Sequence, residues 1–516
     1  MGATATVPGY PAVAVSDQAE LHRVEASKRL DPETRSALGQ FLTPSGVARL
    51  MAALFGRLSG EVRLLDAGAG VGSLLAAAVD DACGRTPRPS RIEAAGFELD
   101  VVLGGYLGRT IQACGARCAA AGVRFDGEVI GGDFVEAAVH MLDARIGGRS
   151  AGRRFSHAIL NPPYRKLTSH SRDRLLLRRA GVETSNLYAG FVALAVQLLE
   201  PGGEMVAITP RSFCNGPYFR PFRELLFREV ALRRIHLFES RTAAFSADEV
   251  LQENVIFHVV KGQRQGSVLV SSSEGPADDM RSIRDVPFDR IVREGDPEIF
   301  IHLVPDDAGQ SIADAFGGLP STLPEMGVQV STGKVVDFRV KPFLRMEPSD
   351  RTQPLIYPTH FDHGIVRWPK EGKKPNGLVD APGTRELWMP SETYVVTKRF
   401  SSKEERRRVV AAMYDPEVIV ANKVAFENHL NVFHRRKRGL DPAFARGLAA
   451  FLNSTFVDTY FRQFSGHTQV NATDLRNLRY PTETILKTLG RRIGTTHCSQ
   501  QQLDAEVETV LGLVSA

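Results

Sequence analysis

Between residues 62 and 260 short apolar runs alternate with longer helical stretches, and that alternation predicts most of the first part of the chain. Val62-Arg-Leu-Leu-Asp66 reads as a strand, followed by a Gly-rich turn and a helix starting near Ser73. Arg91–Glu98 and Glu128–Asp133 read as the second and third strands, and Phe155–Leu160 as the fourth. Met205–Thr209 follows a long apolar helix around Tyr188–Leu199, and Leu232–Phe238 and Asn254–Val260 complete seven. A βαβ rhythm of this kind predicts an α/β fold: a mostly parallel seven-stranded sheet with helices on both faces. In such sheets ligands bind where the strands end.

The rhythm fades after Lys261. Ser271-Ser-Ser-Glu-Gly-Pro276 reads as a loop, and Asp306-Asp-Ala-Gly309 marks a boundary. Beyond Val328 the pattern is irregular and rich in Pro, Arg and aromatics, as in Tyr357–Phe361 and Arg367–Lys370, which predicts a mixed α+β unit. The expected division is therefore a disordered lead-in over 1–25, a first domain over 26–305 and a second over 306–516.

Charge sharpens this division. Residues 331–516 carry 28 Lys+Arg against 20 Asp+Glu, whereas residues 1–330 carry 36 against 39. An acidic first part before a basic last part is expected of a catalytic unit joined to a polyanion-binding one. No apolar run approaches the ~18 residues of a membrane span, and the N-terminus lacks the pattern of a secretory signal. Cys83, Cys114, Cys118, Cys214 and Cys498 have no CxxC spacing, so they read as buried thiols of a reducing, cytoplasmic compartment, with no metal expected.

The sharpest chemical signal is Asn161-Pro162-Pro163-Tyr164, directly after the fourth strand. Two prolines fix φ and remove two backbone donors, the Asn161 amide adds an acceptor, and Tyr164 adds a flat ring with a polar tip. The set suits accepting both hydrogens of an exocyclic amine while stacking on its ring. Upstream, Asp66-Ala-Gly-Ala-Gly-Val-Gly72 ends the first strand in a turn that brings Gly68 and Gly70 close to a ligand, a feature shared with dinucleotide sites. Glu98 ends the second strand, placed for ribose hydroxyls, and Asp133-Phe134 ends the third, placed for an adenine amine and ring. Three acids at three consecutive strand ends fit an adenosyl group better than a pyrophosphate. In Gly39-Gln-Phe-Leu-Thr-Pro44, Thr43 or Ser45 can cap the helix over Val47–Phe55 and leave N–H groups for an anion such as a methionine carboxylate.

In this order, these motifs resemble the gamma-class N6-adenine DNA methyltransferases of type II restriction–modification systems, as do Glu249–Ile256, Val330–Phe338 and Ser465–Leu475. The resemblance covers most of residues 35–480. It implies a Rossmann-like methyltransferase domain, a C-terminal target-recognition domain, S-adenosylmethionine as methyl donor and N6 of a flipped adenine in double-stranded DNA as acceptor. By motif position, Phe41, Thr43, Asp66, Gly68, Gly70, Glu98, Asp133 and Phe134 would hold the cofactor. Asn161 and the Pro162 carbonyl would bind the target amine, Tyr164 would stack on the base, and Phe245 would be a second aromatic clamp. In the basic part, Lys398, Arg399, Arg435 and Arg436 are candidates for the DNA backbone, and Gln469 and Asn471 for base edges or backbone. A monomer would suffice, with any cognate endonuclease acting separately.

Four alternatives remain at this stage. An N4-cytosine enzyme uses the same logic, although Asn-Pro-Pro-Tyr favours adenine over the Ser-Pro-Pro-Trp type. RNA methyltransferases and protein-glutamine methyltransferases can share the tetrapeptide, but the latter would leave the basic C-terminal part unexplained. A non-catalytic DNA-specificity component would not need every catalytic position filled. Cytosine C5 chemistry needs a Pro-Cys nucleophile that neither Cys83 nor Cys214 provides.

Overall fold

The computed structural model describes residues 14–30, 39, 41–146, 153–238, 253–276, 280, 282–304, 306–401, 405–464, 469–494 and 498–513. The chain forms two compact units, Met1–Pro305 and Asp306–Ala516.

In the first unit the strands are β1 (Gly60–Ala67), β2 (Pro89–Glu98), β3 (Arg124–Gly131), β4 (Phe155–Leu160), β5 (Leu199–Pro210), β6 (Val230–Phe238), β7 (Asn254–Lys261), β8 (Val268–Ser273) and β9 (Ser282–Val286). They form one sheet in the order β3-β2-β1-β4-β5-β7-β6-β8-β9. The first five strands are mutually parallel, and β7 enters antiparallel between β5 and β6. All six residues of β4 are buried, Ser156 and His157 included, as a strand at the centre of a parallel sheet covered on both faces requires. The chain winds outward from β1 to β3 and then returns to β4 beside β1, so the topological switch lies between these two strands. Asp66 of β1 is in register with Ile159 of β4, which brings the Gly-rich turn and Asn161 to the same edge.

The helices of this unit are α1 (Val15–Arg29), α2 (Ser45–Ala53), α3 (Ser73–Gly84), α4 (Val101–Ala121), α5 (Phe134–Ile146), α6 (Arg172–Arg179), α7 (Leu187–Leu198) and α8 (Arg220–Glu229). One apolar cluster joins α1 to α4 with one face of the sheet, and another joins α5 to α8 with the opposite face.

Two expectations are corrected here. The lead-in does not extend to residue 25, because α1 begins at Val15 and buries Val15, Ala19 and Ala26. Its buried stripe consists of small residues among charged ones, so no apolar periodicity betrays it. Polar ties anchor it: the Ser16 N–H donates to Asp80 Oδ2 at 2.8 Å, and Glu20 Oε2 accepts from the Ser45 N–H at 2.8 Å. Residues 1–13 lie outside the described chain. Nor are Ser271–Ser273 a loop; they form the end of β8, and with β9 they extend the sheet from seven strands to nine. His236 bonds Ser271 Oγ at 2.9 Å and Ser273 Oγ at 3.1 Å, while Ser272 Oγ meets Ser282 Oγ at 2.9 Å. These buried serines bond to His236 and Ser282, so the strand continues past its apolar Val268–Val270 half.

The second unit is mixed α+β. It holds a six-stranded and a five-stranded sheet together with the helices Pro442–Leu452, Thr455–Phe464, Glu483–Ile493 and Gln500–Leu511. Asp306 opens it as a helix cap, accepting from the Gly309 N–H at 2.7 Å. No described helix is long and apolar enough to cross a membrane.

Candidate active site

The ends of β1, β2, β3 and β4 surround a cavity of about 830 Å³, measured out to its open mouth. Phe41, Gly68, Gly70, Glu98, Asp133, Phe134 and Asn161 all line it, residues spread over 120 positions of sequence and brought together at the switch point. Gly70 has φ +58°, and a Cβ there would lie 2.9 Å from Leu42, so the turn needs glycine.

The two acids are held by backbone. Glu98 Oε2 accepts from the Gly70 N–H at 2.7 Å, and Oε1 accepts from the Asp100 N–H at 2.8 Å. Burial raises the Glu98 pKa against the lowering effect of these two bonds. Each oxygen keeps a second lone pair, so the group can still take hydroxyl donors. Asp133 Oδ1 caps α5 through the N–H groups of Val135 (2.7 Å) and Glu136 (3.2 Å), which leaves Oδ2 for a ligand. Beside it Phe134 packs against Phe97 and Phe191, with ring centroids 5.2 and 5.0 Å apart.

The Asn161 loop is tied to the Phe41 segment. The Tyr164 N–H donates to the Gly39 carbonyl at 2.9 Å. Gly39 has φ +66°, and a Cβ on it would lie 2.7 to 2.8 Å from Tyr164 backbone atoms, so no other residue fits. Asn161 Nδ2 donates to the Phe41 carbonyl at 2.8 Å and to Thr43 Oγ1 at 3.0 Å, and the Tyr164 hydroxyl donates to Asn161 Oδ1 at 3.1 Å. The Tyr164 ring lies 5.6 Å from Phe41 and 6.1 Å from Tyr188. Burial pushes the Tyr164 pKa upward, so its hydroxyl stays a donor at neutral pH.

Four expected site residues do not line the cavity. Pro162 and Thr43 are buried behind it, and Tyr164 is half-buried. Thr43 caps no helix: Pro44 holds the N-cap position of α2, and the first N–H of that helix is taken by Glu20. Asp66 is fully buried, with the Leu75 backbone N–H directed at its carboxyl. Burial pushes its pKa from 3.8 up to about 8, and the nearby Glu98 charge adds to the rise. A carboxyl raised in the folded state stabilises fully below its unfolded pKa, and this stabilisation is lost as pH rises through the folded one. The ligand-free protein is therefore expected to lose stability from about pH 4 to about pH 8, and Asp66→Asn to flatten that slope in thermal melts across the window. An unchanged slope would place the proton elsewhere. Phe245 lies outside the described residues.

Sequence reasoning missed several lining groups. Phe191 and Leu187 belong to an almost wholly buried helix with no distinguishing pattern. Arg165 pairs with Asp173 at 2.6 Å, and both line the cavity. Only the position of Arg165 next to Tyr164 could have drawn attention to it.

In the second unit the basic candidates differ. Arg435 donates to Glu483 at 2.7 Å and its guanidinium lies 5.4 Å from the Phe444 ring centroid, so it is committed to structure. Arg436 is exposed at a hairpin tip with φ +50°. Arg399 gives one guanidinium N–H to the Asn428 carbonyl at 2.9 Å, and Lys398 is half-buried at the end of the strand Tyr394–Lys398. Phe400 and Gln469 form a β-bridge and the Val470 N–H donates to the Arg399 carbonyl at 2.7 Å, so Gln469 sits beside Lys398-Arg399. Asn471 heads the short helix Ala472–Arg476, its N–H held by Asp474 at 2.8 Å.

The antiparallel β7 inserted beside the parallel β3-β2-β1-β4-β5 half, with a cleft at the end of β4, is the Rossmann-like fold of the S-adenosylmethionine-dependent methyltransferases. Residues 134–245 match the Eco57I restriction-modification methylase family. The chain is 44% identical to the type II methyltransferase M.PstI of Providencia stuartii, covering 95% of this chain and 96% of that protein. It is also 44% identical to the type II methyltransferase M.BsuBI of Bacillus subtilis, covering 93% and 95%. Among solved structures, the type IIL restriction-modification enzyme MmeI in complex with DNA shares the fold, with a TM-score of 0.52 and 11% identity over 98% of this chain and 74% of that one. The chain belongs to the type II DNA methyltransferases of restriction–modification systems.

Proposed function

We propose that this enzyme methylates N6 of an adenine extruded from double-stranded DNA, at one short recognition sequence. The observation that carries the reading is the Asn161 amide at the cavity edge, its nitrogen bound to Phe41 and Thr43 and its oxygen turned the other way. An exocyclic amine is a poor nucleophile because its lone pair is delocalised into the ring. Asn161 Oδ1 and the Pro162 carbonyl would accept its two hydrogens, favour tetrahedral geometry and face the positive charge that develops on nitrogen. Tyr164 would stack on the base and offset part of the unstacking cost.

Glu98 fits ribose hydroxyls, Asp133 Oδ2 fits an adenine amine, and Phe134 with Phe191 fits the ring faces. Bound S-adenosylmethionine supplies a methyl already activated on sulfur. What remains for the protein is alignment, so no covalent enzyme intermediate and no metal enter the scheme. The fully buried Asp66 would act from behind the Gly-rich turn.

For DNA, Lys398 and Arg436 would neutralise phosphates, with Arg399, Gln469 and Asn471 beside the same path. Arg436→Ala is expected to weaken duplex binding and lower its salt slope by about one. Arg435→Ala should chiefly lower the melting temperature, since its charge is spent on Glu483. Fluorescence anisotropy against salt distinguishes the two; equal losses of affinity would contradict the assignment.

The test of the function is to map modified positions on unmethylated plasmid DNA after incubation with the protein and cofactor. Adenines within one recurring sequence are expected. Modified cytosines would move the chemistry to N4, and scattered adenines would remove the site specificity.

A further inference from the structure

Resting on the reading of Asn161 as acceptor for the target amine, we infer that Thr43 is a positioning residue of the methyl-transfer step: with the Phe41 carbonyl it fixes the side-chain amide of Asn161 so that the oxygen, never the nitrogen, meets the target. An asparagine amide is nearly symmetrical in shape, and its two ends do opposite chemistry. Turned over, it would offer two donors to an amine that also donates, and the site would repel its substrate.

Two acceptors prevent this. The Phe41 carbonyl can only accept, and at 2.8 Å it requires a nitrogen opposite it. Thr43 Oγ1 at 3.0 Å takes the second hydrogen. Both hydrogens of Nδ2 are thereby used, which polarises the amide and makes Oδ1 a stronger acceptor. The Tyr164 hydroxyl, 3.1 Å from Oδ1, agrees with that orientation, because the raised Tyr164 pKa keeps it a donor. It occupies Oδ1 until an amine arrives.

The surroundings of Thr43 suit this task. It is buried, it does not cap α2, and its hydroxyl oxygen accepts from the Asn161 amide. Its segment is held against the Asn161 loop by the Gly39–Tyr164 backbone bond at 2.9 Å. The acceptors and the amide they orient thus belong to two loops locked together, some 120 residues apart in sequence.

The experiment compares Thr43→Val, Thr43→Ser and Asn161→Ala with the native full-length enzyme, in single-turnover methyl transfer to unmethylated plasmid DNA. S-adenosylmethionine affinity and DNA affinity are measured in parallel. Thr43→Val keeps the shape and removes the acceptor, and at saturating cofactor should lower the transfer rate about ten-fold, the worth of one hydrogen bond, with DNA affinity unchanged. Thr43→Ser, which keeps the oxygen, should restore most of the rate. An unchanged transfer rate at saturating cofactor, with only cofactor binding weakened, would confine Thr43 to a ligand's role and overturn the inference. Equal losses in the Val and Ser variants would make it a packing residue, with the same consequence. An active Asn161→Ala would instead sink the reading of Asn161 itself, so the two failures are distinguishable. If Thr43→Val does not fold, full activity in Thr43→Ser supports the hydroxyl role and a ten-fold loss there opposes it.

Discussion

Asn161→Ala is expected to lower the methyl-transfer rate about 10³-fold, the scale seen when a preorganised partner of a developing charge is removed. The substitution deletes the acceptor and leaves the amine with the Pro162 carbonyl alone. It also frees the Phe41 carbonyl and Thr43 hydroxyl, now 2.8 and 3.0 Å from Nδ2, to admit water or to misdirect the base. Cofactor affinity should hardly change, because the acids proposed to bind the cofactor stand on β2 and after β3. Single-turnover transfer measured beside cofactor titration separates the two effects. Rapid transfer by the variant would require a different acceptor.

The second large effect is expected at Glu98. Its carboxylate holds the Gly70 and Asp100 N–H groups at 2.7 and 2.8 Å and is nearly inaccessible to solvent. Alanine there removes the proposed partner of the ribose hydroxyls and releases the Gly70 amide that shapes the Gly-rich turn. Two charge-assisted bonds together contribute about 3 kcal/mol, so S-adenosylmethionine binding should weaken about 100-fold in calorimetry. Gln at this position keeps one acceptor and sets an NH₂ against a backbone N–H; its loss should fall between native and Ala. Native affinity in Glu98→Ala would move the cofactor off β2.

Much of this site was legible in the sequence because its signals are local. A strand that stops at an acid and enters glycines, or stops at Asn-Pro-Pro-Tyr, announces both its geometry and its hydrogen-bond acceptors within six residues. The edge shared by Gly68, Glu98, Asp133 and Asn161 follows from the parallel direction of β1 to β4. What escaped was long-range or disguised. Phe191 reaches the cavity from a helix apolar on every side, so no residue of that helix stands out. Arg165 and Asp173 matter as a pair, and pairing across a turn leaves no periodic trace. The helix α1 buries alanines among charges, and β8 buries serines that bond to His236. Thr43 shows the same limit from the other side: its motif was plain, but its partner, Asn161, could not be seen without the fold. In the basic run after His434, charge alone could not separate the paired Arg435 from the exposed Arg436.

The central claim is that the Asn161 oxygen and its neighbours activate an adenine amine. The most direct measurement incubates unmethylated DNA with the enzyme and S-adenosylmethionine carrying a trideuterated methyl, then hydrolyses the DNA and weighs its nucleosides by mass spectrometry, with Asn161→Ala alongside. The account predicts trideuterated N6-methyladenine from the native enzyme and almost none from the variant. Label in cytosine, or label in adenine that survives the loss of Asn161, would contradict it.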